Sequence, residues 1–212
     1  MDQLHLTTHK STKQSKSKLD GFYSLNTSTL NNPFCLKMFS GNNTDLICRS
    51  CYAKNLEKRY FKKTDKLDTN ARILSESIML WDHVPFYPLL LVLRIHCLGE
   101  LINENHFINI ILIAKKNPHC TVSIWTKRPD IVKRVFKSGY DKPDNFILIY
   151  SNPRVNCDYE IKTPEYFDKV FNNYTKDFAE KNNVAINCHK SCKDCMICYQ
   201  HNEVEQIKEL VK

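Results

Sequence analysis

The chain has 212 residues, of which 42% are hydrophobic and 25% charged, and a formal net charge of +8. That length and mixture suit one well-buried domain and exclude collagen-like or wholly disordered chains. There is no membrane-length apolar run, and the opening MDQLHLTTHKSTKQSKSKLDG lacks the apolar centre of a secretory signal, so a cytoplasmic protein without membrane association is expected.

Residues 1–20 carry Lys10, Lys13, Lys16 and Lys18 and few apolar side chains, which predicts a disordered basic tail before a single α/β domain over 21–212. The basic excess leaves nucleic acid open as a partner of the surface. With four glycines in all, the chain has no phosphate-cradling glycine loop, and it shows no internal repeat and no nucleophile elbow of the hydrolase kind.

GFYSLNTSTLNNPFCLKMFSG reads as short strands and loops. YAKNLEKRYFKK and DTNARILSESIMLWDH have apolar residues at helical spacing, the second opening at Asp68 as N-cap. From Leu89 the pattern becomes regular. LLLVLRIH is a strand, NENHFINIILIAKKNP a helix stopped before Pro118, CTVSIWTK a strand, RPDIVKRVFKSG a helix with Pro129 in its first turn, and NFILIYS a strand. TPEYFDKVFNNY is predicted as a capped helix, NVAIN as a short strand and EVEQIKELVK as a closing helix. The βα succession predicts a parallel sheet forming an open, incomplete TIM-like barrel, flanked by cysteine-rich segments that bind metal.

In such sheets ligands bind at the carboxyl ends of the strands. Those ends carry His96, Cys97, Gly99 and Glu100, then Thr126 and Lys127, then Ser151 and Asn152, with Cys188 after the next predicted strand. Thr126, Ser151 and Asn152 read equally well as caps of turns and helices.

Ten cysteines in a reduced compartment read as ligands rather than disulfides. Cys188, Cys192, Cys195 and Cys198 follow one another at spacings of three, two and two residues. A zinc ribbon brings together two knuckles from distant parts of a chain, whereas tight C-x2-C-x2-C runs wrap iron–sulfur clusters. Upstream, Cys35 precedes the Cys48-x2-Cys51 pair by twelve residues. Three thiolates leave either an open iron corner or a fourth ligand from elsewhere. One or two 4Fe-4S clusters are therefore expected, with zinc as the alternative. Cys97 is a further ligand candidate, Cys157 is undecided, and Cys120 reads as an inert core thiol; His96 and His189 are read as ordinary hydrogen-bonded histidines, with ligation as the alternative.

Two resemblances enter on these residues. CRSCYA, RIHCLGEL, NPHCTVSIWTK, SNP and CHKSCKDCMICY stand in the order in which the chain resembles the phage domain family called gene product 88, from about residue 21 to about residue 200. The resemblance implies a phage-encoded protein acting in the host cytoplasm. More distantly, the clustered cysteines and CLGE are similar to the radical SAM superfamily, where three cysteines hold a 4Fe-4S cluster and a Gly-Gly-Glu motif contacts S-adenosylmethionine. Here Cys35 stands farther out than in that superfamily, and Leu98 occupies the place of a glycine. The likeness implies His96, Gly99, Glu100, Thr126, Ser151 and Asn152 around a cofactor, Glu100 and Lys127 as catalytic groups, and an electron donor or small-molecule substrate as partner. The competing expectation is a zinc-stabilised nucleic-acid-binding module without catalysis.

Overall fold

A computed structural model describes residues 3–13, 16–59, 64–157, 159 and 161–211. Strands β1 (Leu6–Thr8), β2 (Tyr23–Leu25), β3 (Val92–Ile95), β4 (Thr121–Thr126), β5 (Phe146–Val155), β6 (Lys169–Tyr174) and β7 (Gln206–Leu210) form one sheet in chain order. β1 runs antiparallel to β2, and every later pair is parallel. The described pairings run from β1 to β7, and none among them joins these two edges.

Helices α1 (Pro33–Ser40), α2 (Tyr52–Arg59) and α3 (Thr64–Ser75) lie between β2 and β3; α4 (Glu104–Lys116) and α5 (Pro129–Lys137) are the next two crossovers. α4 begins at Asn103, whose side chain accepts from His106 N, and its Phe107, Ile110, Ile111 and Ile113 are fully buried. α5 begins on Pro129 and buries Ile131, Val132, Val135 and Phe136. These faces pack on Leu93, Ile95, Val122, Ile124, Phe146 and Leu148 from alternate positions of β3, β4 and β5. Each such fully buried side chain contributes about 1.5–3 kcal/mol relative to exposure. The intervening positions, among them Trp125, Ile147, Ile149 and Ile207, face the opposite side, where the segment Cys188–Tyr199 covers them.

Several expectations are corrected. The first twenty residues are not a featureless tail: Leu6–Thr8 pair with β2, and Lys18 forms an ion pair of 2.7 Å with Glu209 of β7. Leu4 and Leu6 pack on the core, enough apolar contact to dock a lysine-rich segment. Pro33–Ser40 is a helix rather than strand and loop, capped by Asn32, which accepts from the N–H groups of Phe34 and Cys35. α3 starts at Thr64, so Asp68 is no cap; its carboxylate accepts from Asn31 Nδ2. The predicted helix over 52–63 is α2 as far as Arg59, and 60–63 lie outside the described residues.

TPEYFDKVFNNY ends in strand β6, not in a helix. Its aromatic spacing fits either period, and the open edge of β5 decides: Asp168 accepts from Leu148 N and from Lys142 Nζ, which lays the segment alongside β5. NVAIN is not a strand; it follows the short helix α6 (Lys176–Lys181). EVEQIKELVK holds strand β7, whose Ile207 faces Phe171 of β6, so a composition suited to helices yields to ladder bonds at an unpaired edge. Ser151 and Asn152 lie inside β5, before a register shift at which Asn152 Oδ1 accepts from Arg154 N.

Candidate metal centre

The N-terminal thiols come from two pieces of backbone, each tied down. Cys35 sits in the first turn of α1, and Asn32, which caps that helix, donates from Nδ2 to the Glu100 carbonyl at 2.9 Å. Cys48 lies in the 3-10 turn Ile47–Ser50, and Cys51 closes it. Val155 N donates to Asp45 O at 2.8 Å, Arg49 reaches back to the carbonyls of Phe39 and Gly41, and Tyr52 Oη donates to Cys97 O at 2.9 Å. Behind them Glu57 of α2, buried, accepts from Ser28 Oγ at 2.5 Å, Thr29 Oγ1 at 2.5 Å and Thr29 N at 2.7 Å. Replacing Glu57 by alanine strands three donors, and we expect about 2–4 kcal/mol lower stability in chemical denaturation.

The three thiols share one electrostatic neighbourhood. Burial raises the pKa of Cys35, with Glu100, Cys48 and Cys51 adding to the rise and Lys127 opposing it. Burial also raises that of Cys48, against the pull of Lys127. Lys127 in turn is held protonated: burial works against its charge, but Cys48, Glu100, Cys35 and Cys51 outweigh it. Its ammonium donates to Ser151 Oγ at 3.1 Å, and no carboxylate pairs with it among the described residues.

Glu100 is turned inward. It is 4% exposed, and its Oε1 accepts from Leu101 N at 2.9 Å and from Thr126 Oγ1 at 2.5 Å while Oε2 accepts from Lys127 N at 2.9 Å. Glu100 therefore braces the ends of β3 and β4. Gly99, at φ +94°, packs against Thr27 so closely that its lack of a side chain follows from the fold. His96, at φ 64°, stacks edge-on against His106 at 5.2 Å, and burial lowers its pKa to about 4. Among the described residues neither of its ring nitrogens has a well-formed hydrogen bond. Asn152 Nδ2 donates to Asn172 Oδ1 and lies 3.2 Å from Cys157 Sγ, a role within the sheet.

The C-terminal thiols lie on the opposite face of the sheet from the helices. Cys188 is fastened by Lys208 O and by Lys18, whose ammonium bonds its carbonyl at 2.9 Å and lies 3.7 Å from its sulfur. Cys192 N donates to Lys18 O at 2.7 Å, and Cys192–Cys195 form the single turn α7, capped by Ser191. Met196 then takes a left-handed conformation, at φ 52°, that swings Cys198 onto β4, where Ser123 Oγ donates to its carbonyl. Burial raises Cys188 to about 11 and Cys198 to about 12, each also feeling two or three of the other thiols of the run.

Arg94 stands beside the C-terminal group. Its guanidinium lies 3.8 Å from the Trp125 ring and 3.4 Å from Tyr199 Oη, its Nε has no partner, and no carboxylate pairs with it among the described residues. It moderates the rise of Cys192 and Cys198 on one side and of Cys97 and Tyr52 on the other. Tyr52 keeps 61% of its surface accessible, and burial of its hydroxyl, with Cys97 and Cys51 nearby, pushes its pKa up to about 12 against the pull of Arg94. Sequence reasoning passed over Arg94, although a charge inside LLLVLRIH was a visible signal.

Of the other thiols, Cys97 is buried beside His9, 3.6 Å from its Nε2, and Cys120 is a core thiol pushed up to about 12 by burial. His189 is exposed. A cavity of 480 Å³ opens next to the Cys48 turn, lined by Asp45, Ile47, Ser50, Arg154, Cys157 and Tyr159 among others. Among the described residues no three His, Cys, Asp or Glu side chains stand in the arrangement of a single bound ion.

The family model of gene product 88 matches residues 5–209. The chain belongs to the phage gene product 88 family. No curated protein and no solved structure matches it. In this gene product 88 protein both cysteine groups, Arg94, Glu100 and Lys127 fall within the matched span. No helix among its described residues is long and apolar enough to cross a membrane.

Proposed function

We propose that the protein is an iron–sulfur protein with a redox role, holding a 4Fe-4S cluster on Cys35, Cys48 and Cys51 and a second cluster on Cys188, Cys192, Cys195 and Cys198. The observation that carries this reading is the charge arrangement: two cations, Lys127 and Arg94, each beside an all-cysteine group and neither in an ion pair with a carboxylate among the described residues. Arg94 has no ion pair with a carboxylate among the described residues, and Lys127 has one neighbouring carboxylate, Glu100, without an ion pair to it, so negative charge added at the thiols would stabilise both. Thiolates bound to iron supply that negative charge, because a coordinating thiol is deprotonated outright.

The donor sets fit the group. Both are sulfur only and soft, and the C-terminal run has the tight spacing that wraps clusters larger than one ion. A bound cluster would supply one-electron chemistry at low potential. The chain's own residues do the rest: Glu100 fixes the β4 end so that Lys127 faces the N-terminal thiols, and Arg94 holds positive charge beside the C-terminal thiols. We read the singly wound sheet as an open barrel whose hollow the C-terminal cysteines fill. With three thiols at the N-terminal site, an iron corner stays free for a small molecule, S-adenosylmethionine being one candidate.

The test is iron and acid-labile sulfide per chain after anaerobic reconstitution, in the parent and in the C35S and C192S variants. Each variant should lose one cluster's iron and keep the other's. Colourless protein with stoichiometric zinc would replace this reading by the zinc one. Adding S-adenosylmethionine to the parent should perturb the N-terminal cluster's spectrum if it is the ligand, and leave it unchanged otherwise.

A further inference from the structure

The segment that returns from β1 to β2 lies against the C-terminal cysteine run. Its last residues are fixed by their own backbone: Asp20 N donates to Ser17 O at 3.2 Å, Gly21 N to His9 O at 2.9 Å and Phe22 N to Leu19 O at 2.8 Å. Leu19 and Phe22 join the apolar cluster that also holds Cys188, Cys192 and Tyr199. Lys18 sits in this turn and touches the run twice. Its carbonyl accepts from Cys192 N at 2.7 Å. Its ammonium donates to Cys188 O at 2.9 Å and to Glu209 Oε1 at 2.7 Å, and lies 3.7 Å from Cys188 Sγ. One residue thus holds the first two cysteines of the run, Cys192 through the main chain and Cys188 through the side chain.

The pair of Lys18 and Glu209 is mostly covered, with side chains 28% and 21% exposed, so its charges act on their surroundings with less screening than at an open surface. Lys18 is held protonated: burial works against its charge, but Glu209 and Cys188 outweigh it. On Cys188 the two charges oppose each other. Glu209 adds to the rise that burial imposes on the thiol, and Lys18 works against it. Lys18 acts in the same sense on Cys192, where burial again leads.

Hydrogen bonds to the sulfurs and charges just outside them are the means by which a protein sets a cluster's potential. Reduction adds one negative charge, so a cation beside a ligand sulfur favours the reduced form and a carboxylate disfavours it. We infer that Lys18 is a positioning residue of the C-terminal cysteine site, orienting Cys188 and raising the reduction potential of a cluster held there, with Glu209 as its moderating counter-charge. The inference rests on the iron–sulfur reading above. It also gives the lysine-rich opening of the chain a part in that site.

The main-chain bond from Cys192 survives any change of the Lys18 side chain, so the ammonium can be tested with the turn still docked. The full chain is reconstituted anaerobically as parent, K18M, K18R and E209Q, iron and sulfide are measured, and each protein is titrated through its reduction potentials. The C-terminal potential is the one missing from C192S. In K18M it should move negative by about tenfold in the oxidised-to-reduced ratio, or about 59 mV for one electron. K18R should keep it near the parent value, because the guanidinium carries the same charge. E209Q should move it positive, and this sign decides the matter even if K18M loads poorly. The N-terminal potential should stay in place throughout. An unmoved C-terminal potential in K18M, an equal shift of both potentials, or a negative shift in E209Q would overturn the role of Lys18 in a chain that carries its clusters. A parent chain without iron on the C-terminal thiols would overturn the iron–sulfur reading and this inference together.

Discussion

Replacing Gly99 by alanine is expected to lower stability by about 3–5 kcal/mol, on the order of 10 °C in melting temperature for a chain of this size. The glycine sits at φ +94°, where a side chain is strained whatever space it finds. Here it finds none: a Cβ would overlap Thr27 Oγ1 and stand 2.6 Å from the Thr27 carbonyl oxygen. Both are parts of the strand end, with Thr27 N bonded to Leu98 O at 3.2 Å, so neither can swing aside cheaply. The displacement would pass directly to Glu100, and through it to Thr126 and Lys127. Thermal unfolding checks the stability, and iron retention at the N-terminal thiols checks the site. An alanine variant with parental melting would show that the β2 and β3 ends can separate without cost.

Replacing Arg94 by methionine is expected to have opposite effects on the metal-free and the reconstituted protein. Without metal, the guanidinium has the Trp125 face and the Tyr199 hydroxyl as its partners among the described residues and an Nε unbonded by them, so an apolar side chain of similar length should be neutral or stabilising by about 1 kcal/mol. With clusters in place, the same change removes the positive charge beside the C-terminal one, and its iron should pass to a chelator about 10–100 times more readily, as when a group just outside the ligands is lost. Melting curves of both forms and the rate of iron transfer measure the two effects. Destabilisation of the metal-free form together with unchanged iron transfer would remove Arg94 from the charge balance and with it the argument for anionic clusters.

The regular part of the fold was legible because its elements satisfy local and global demands together. α4 and α5 carry caps and apolar stripes, and β3, β4 and the start of β5 are short, largely apolar runs rich in β-branched residues, as suits strands covered by helices. The errors cluster where a segment is short and its period ambiguous. β6 and β7 have aromatic and charged residues at spacings that fit helices, and only the free edges of β5 and β6 make them strands. β1 escaped notice because three residues beside a lysine-rich loop carry too little pattern to register.

The sequence by itself determined the βα succession, the family, and the grouping of seven cysteines into two sets, because hydrophobic period, motif order and spacing are all local properties of the chain. Only the tertiary structure decided that Glu100 is a brace rather than an open ligand, and that Lys127 serves the N-terminal thiols while Arg94 serves the C-terminal ones. It alone showed that residues 78–91 turn half of their apolar side chains to solvent. Those facts depend on which side chains share a space, and electrostatic and packing energies fall off over a few ångströms of that space, whatever the distance along the chain.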